Sequence, residues 1–208
     1  MNTEKIMPWI MWAIATLFVL FQFILQISAS VMTKPLMQDF HINHLGVSNL
    51  SASFFYTYLI LQIPAGLLFD RFGPRKMLTM AALFLSAGCL CFATAHLLIV
   101  AIFGRVLMGT GSTFAFVGML FLLSEWFHSK HFALMVGLSE MLGMLLTASG
   151  LIGLAWLIGH TGWRLAVGGS GIVAFVLAIV VFIIIRDHPS NKKIKTKHKT
   201  FVFFTILG

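Results

Sequence analysis

Charge is scarce in this chain. Only 10% of its 208 residues are Asp, Glu, Lys or Arg, against about 25% in an ordinary soluble domain. Acids are scarcer still, six against 14 bases. A water-facing surface cannot be assembled from so few charged side chains, so a soluble globular domain is excluded. Cysteine is nearly absent too. Cys89 and Cys91 stand two apart inside one apolar run, and that spacing points them to different helix faces. A shared metal or a disulfide is not expected, and both read as apolar filler. There is no glycine-rich phosphate loop, which argues against ATP hydrolysis. The loop histidines His41, His44, His96, His128, His131 and His160 form no helical His-x-x-x-His pair, so no metal site is expected.

What fills the chain instead is apolar: 59% is hydrophobic. Uncharged or nearly uncharged runs long enough for a hydrocarbon core of about 30 Å occur six times. They cover approximately 9–32, 47–69, 77–95, 98–123, 132–158 and 165–185. The breaks carry turn chemistry, among them Lys34-Pro35, Gly73-Pro74 and His160-Thr161-Gly162. Short breaks make each span antiparallel to the next. Barrel strands would be shorter and alternating. The first run exceeds the 7–15 apolar residues of a signal peptide and reads as an uncleaved first helix.

The bases divide unevenly. Lys5, Arg71, Arg75, Lys76, Lys130, Arg186, Lys192, Lys193, Lys195, Lys197 and Lys199 fall on the side of the N-terminus; Lys34 and Arg164 fall on the other. That asymmetry places both termini in the cytoplasm. The Lys192–Lys199 run reads as a tethered basic segment under an anionic leaflet rather than a nucleic-acid patch.

Between the second and third spans lies Gly66-Leu67-Leu68-Phe69-Asp70-Arg71-Phe72-Gly73-Pro74-Arg75-Lys76. Gly73 lets the chain bend and Pro74 stops a helix from running on. Asp70 follows a helix C-terminus, where the macrodipole disfavours an anion. It wants a base or the N-terminus of another helix. The stretch resembles the signature loop between helices two and three of the major facilitator superfamily, through Gly66, Leu68, Asp70, Arg71, Gly73, Arg75 and Lys76. Phe69 and Pro74 depart from that pattern. Arg105-x-x-x-Gly109-x-Gly111 on the fourth span is similar to the family's second motif. Gly162-Trp163-Arg164, Arg186-Asp187-His188-Pro189 and Gln62-Ile63-Pro64-Ala65-Gly66 also stand where family members carry comparable stretches. The fifth span has no proline, unlike many antiporters of the family, which leans toward symport or uniport.

The resemblance implies an all-α integral membrane protein: six transmembrane helices forming the superfamily's N-terminal bundle, two inverted three-helix repeats. It implies a bundle over 1–189, a basic cytoplasmic linker over 190–200, and over 201–208 the start of a truncated seventh helix. It implies a gating loop of Gly66, Asp70, Arg71, Gly73, Arg75 and Lys76, in which Asp70 caps a helix of the C-terminal half when the cytoplasmic gate shuts. A bacterial inner membrane suits the short loops. No cofactor and no enzymatic activity are implied. The expected partners are a small-molecule solute, membrane lipid, and a missing C-terminal half or second half-chain.

An ionisable side chain inside a bilayer costs about 2.5–3.5 kcal/mol on insertion scales. Arg105 and Glu140 are the two such groups here. Counting from the span ends, their axial separation is about 8 Å at 1.5 Å per residue. The expectation is therefore a substrate-contacting or proton-coupling pair, with Arg105 favouring an anionic or carboxylate-bearing solute; a structural ion pair is the alternative. Gln22, Gln26 and Ser30 fall at four-residue spacing, on one helix face. They are expected to line a solute path or to bond a neighbouring helix. The functional expectation is proton-coupled symport by alternating access. Two alternatives stand beside it: a non-transporting half that needs a partner chain, and, on Gly168-Gly169-Ser170-Gly171, an intramembrane serine protease.

Overall fold

Each uncharged run forms one helix, with ends that fall within three residues of the run except at the start of α1, which begins six residues earlier. The computed structural model describes residues 3–187, with side chains from Ile6 onward; the expected linker at 190–200 and the expected helix start at 201–208 lie outside the described residues. Six helices are long and apolar enough to cross a membrane. They are α1 (Thr3–Val31), α3 (His44–Phe72), α4 (Pro74–Ala93), α5 (Leu98–Trp126), α6 (Ser129–Thr161) and α7 (Trp163–Ile184). A seventh, short helix was not expected. Lys34-Pro35 reads as a break, yet α2 (Thr33–Phe40) forms across it, because a proline in a first turn forfeits a hydrogen bond the helix would not make anyway. His41, in the left-handed region at φ 51°, ends it.

The spans pass alternately between two ends. The base holds the start of α1, the Gly73-Pro74 turn and the end of α7; the crown holds α2. α1 packs on α6 as α5 packs on α3, and α4 packs on α7. Exchanging the first three spans for the last three preserves those pairs, as inverted repeats require. The exchange is incomplete: α4 and α5 share an extensive contact, while α7 barely touches α1.

The core is centred on α5, of whose apolar window 61% is buried. Small residues make that possible. A Cβ on Gly109 would lie 2.5 Å from the Phe54 carbonyl oxygen of α3, and one on Gly111 would lie 2.5 Å from the Ala81 oxygen of α4. The backbones meet where a side chain cannot go, as in other membrane bundles. Thr113 strengthens the α3–α5 crossing by donating to the Tyr58 oxygen at 3.1 Å.

One acid closes each end. At the crown, Asp39 sits in the last turn of α2, against the helix dipole. It is compensated by Trp163, whose Nε1 donates at 2.8 Å, and by Arg164 at 3.3 Å. Arg164 also donates to the Ala93 and Ala95 oxygens at 3.1 and 2.6 Å, the unpaired carbonyls at the end of α4. At the base, Asp187 accepts the Arg75 backbone N–H at 3.0 Å, so it caps the N-terminus of α4 where the dipole favours an anion.

The glycine contacts set a clear expectation. Gly109→Ala destabilises the chain by about 1–3 kcal/mol through overpacking. Gly153→Ala, on an α6 surface with nothing within 4 Å, changes stability by less than about 1 kcal/mol. Thermal melts in mild detergent measure both.

Candidate functional site

The loop expected to act as a gate divides into two parts. Gly73 takes φ 78°, a left-handed conformation that suits glycine. A Cβ there would meet Asp187 Oδ1 at 2.7 Å. Arg75 is committed to α7: its Nε donates to the Phe182 oxygen at 2.8 Å, and its guanidinium lies 4.4 Å over the Phe182 ring. Asp70, Arg71 and Lys76 are exposed beside it. Gly66, one turn earlier, has open space where a Cβ would be. The loop is thus clamped from within by Arg75, Gly73 and Asp187, and it presents Asp70, Arg71 and Lys76 outward. The role of Asp187 could not be read from its own neighbourhood, because its partner lies 112 residues away.

Arg105 is fully buried. One terminal nitrogen donates to the Leu25 oxygen and the other to the Gln26 oxygen, each at 3.1 Å. Ser28 Oγ is 3.5 Å from the first. The Phe54 ring lies 4.9 Å from the guanidinium carbon. α5 therefore holds the crown third of α1 through a charged fork on two helix carbonyls, each of which has a second lone pair to give.

Glu140 does not pair with Arg105. Its neighbour Ser139 faces α1 at the level of Trp12, whose Nε1 donates to Ser139 Oγ at 2.8 Å, and of Thr16 at 3.1 Å. Thr16 stands nine residues before Leu25, which puts the two ionisable groups roughly 13 Å apart along the axis. Counting from span ends missed this because it does not fix the register of α6 against α1, which the Ser139 contacts set. Glu140 is partly buried with Oε1 unpartnered. It comes within electrostatic reach of Tyr58 on α3, which sits beside Gln62.

Gln22 is fully buried with both amide atoms unpartnered, and Gln26 has its side-chain oxygen unpartnered. Ser30, expected on the same face, is exposed and donates to the Ile27 oxygen. Ser112 and Thr147 add two more buried hydroxyls without partners. These groups sit on α1, α5 and α6. Leaving a buried polar atom unpaired costs about 1–3 kcal/mol, so these groups are where water or a solute would supply the missing hydrogen bonds. Ser170 instead donates to the Ala166 oxygen of its own helix at 3.0 Å, which is not the arrangement of an activated nucleophile.

Six membrane-length helices around buried ionisable and amide groups define a polytopic membrane bundle. The model of the Major Facilitator Superfamily matches residues 11–207, and the chain belongs to that family. It is 29% identical over 154 residues to a quinolone resistance transporter of Acinetobacter baumannii, covering 67% of this chain and 34% of that protein. It is 30% identical over 171 residues to the nitrate/nitrite transporter NrtP of Nostoc punctiforme, covering 76% of this chain and 32% of that protein. It is 27% identical over 198 residues to the probable galactarate/D-glucarate transporter GudP of Escherichia coli, covering 88% and 43%. The crystal structure of a bacterial homolog of the human lysosomal transporter Spinster, inward-facing and unoccupied, shares the fold. Its TM-score is 0.78 at 17% identity, over 96% of this chain and 47% of that one. The chain therefore spans less than half the length of each of these proteins.

The base clamp gives a testable pair. Gly73→Ala costs about 1–3 kcal/mol from strain, and Asp187→Ala costs about 0.5–2 kcal/mol from the lost cap. Both displace the same carboxylate, so the double variant costs less than the sum of the two. Melting temperatures of the three variants check this.

Proposed function

We propose that this chain is the N-terminal half of a carrier that moves a small solute across a membrane by alternating access, as a proton symporter. The observation that carries the reading is the set of unpartnered buried polar atoms on Gln22, Gln26, Ser112, Glu140 and Thr147. Such groups are costly in an apolar bundle unless they serve a polar occupant. Relatives named for nitrate and for galactarate or D-glucarate support an anionic solute. Arg105 holds the two α1 carbonyls through its terminal nitrogens and keeps its Nε without a partner, so it has a donor left for that anion. Its role in this reading is to couple solute arrival to the position of α1. Glu140, unpaired and partly buried, is the proton-carrying group.

The basic base of the bundle supports a cytoplasmic placement of both termini in a bacterial inner membrane. Asp70, Arg71 and Lys76, exposed beside the clamped turn, form the latch toward a second bundle. The second reading, obligate association with a partner half, is favoured by burial: only 17% of the apolar windows of α3 and α6 is covered.

The test is uptake of labelled nitrate and labelled hexarate into vesicles containing the chain, with and without an inward proton gradient. Glu140→Gln is expected to remove the gradient dependence while leaving downhill exchange. Uptake by Glu140→Gln with an unchanged pH dependence contradicts the assignment.

A further inference from the structure

Between the crown ends of α1 and α3 lies an open cleft of about 720 Å³. α1 contributes Gln26 and Ser30, the start of α2 contributes Thr33, and α3 contributes His44, Ser48 and Ser51. The hydroxyl hydrogens in this lining are already committed to helix carbonyls. Ser30 donates to the Ile27 oxygen at 2.7 Å and Thr33 to the Ser30 oxygen at 3.1 Å. Ser48 and Ser51 donate to the His44 and Val47 oxygens, each at 3.0 Å. A hydroxyl has one hydrogen to give and two lone pairs. Four oxygens are therefore left as acceptors.

No Lys, Arg, Asp or Glu lines the cleft. A simple inorganic anion finds no cation there and meets lone pairs instead. A purely apolar solute would gain contact with Ile27, Ala29, Val47, Ala52 and Phe55 but would strip water from four hydroxyls without replacing its hydrogen bonds. A solute bearing several O–H donors satisfies all four oxygens at once. Phe55, also in the lining and 37% exposed, offers an apolar wall to the C–H face of such a solute. The Gln26 amide and the His44 ring are the two side chains able to supply hydrogens in return. Gln26 also joins the cleft to the interior, since its backbone oxygen is held by Arg105.

We infer that the cleft is a vestibule subsite for a polyhydroxylated solute, of the polyol or sugar-acid class. This rests on the carrier reading above and narrows it: the subsite recognises hydroxyls, and any carboxylate is recognised elsewhere.

The test is protection of an introduced thiol. Ser48→Cys is reacted with a maleimide in the intact chain in mild detergent, with labelling of the parent chain subtracted. The probes are a hexitol, a hexarate and nitrate, each up to about 100 mM so that millimolar binding is seen. The hexitol and the hexarate are expected to slow modification several-fold, and nitrate to leave it unchanged. Adding Ser51→Val is expected to weaken protection without changing the unprotected rate. Failure of the hexitol to protect, or equal protection by nitrate, overturns the subsite. Should Ser48→Cys fail to accumulate, Thr33→Cys reports from the opposite wall by the same criteria. Vesicle uptake separates the two ideas. Protection without uptake removes the carrier reading and keeps the subsite; hexitol or hexarate uptake without protection does the reverse.

Discussion

A guanidinium withdrawn from water holds the crown third of α1 against α5, and much of the bundle depends on it. An arginine at membrane depth carries an insertion cost of about 2.5–3.5 kcal/mol. Hydrogen bonds to a charged group return about 1.5–3 kcal/mol each, and a desolvated cation over an aromatic face adds about 2 kcal/mol. Arg105 makes two such bonds, to Leu25 and Gln26, and lies over Phe54. The fork is therefore favourable only while α1 and α3 both stay in place around it. The position of α1 then fixes where Gln22 and Gln26 face. Farther down the same helix, Trp12 and Thr16 meet Ser139 and set the level of α6.

Two of the remaining acids are spent at helix ends. Asp39 joins α2 to α7 at the crown through Trp163 and Arg164. Asp187 joins α7 to α4 at the base. In both places the acid meets a helix terminus or its bases, so a chain with six acids closes both ends of its bundle with two of them. The base then leaves Asp70 exposed.

The spans were legible because an uncharged run of membrane length has few other uses. Expected limits such as 98–123 fall within three residues of the helix, Leu98–Trp126. α2 was not legible, since eight residues around Lys34-Pro35 carry too short a pattern to outweigh two break signals. The loop glycine and arginine were expected to gate, but the clamp they form runs to Asp187, and no local spacing encodes a contact across 112 residues. The pairing of Arg105 with Glu140 failed for a related reason. Rise per residue gives depth along one axis, while the register between two packed helices is decided by what meets, here Ser139 against Trp12. Gln22 and Gln26 stand out by a simple signal, amides in an apolar run, and the fold leaves side-chain amide atoms of both without partners.

The most direct measurement is the spin-label distance between the crown ends of α1 and α5, with labels at the exposed positions Ile27 and Ile99. The parent chain is predicted to give one narrow distribution, and Arg105→Leu a longer and broader one, with labels placed on α4 and α7 unaffected. An unchanged Ile27–Ile99 distribution in Arg105→Leu would contradict the claim that the buried fork positions α1.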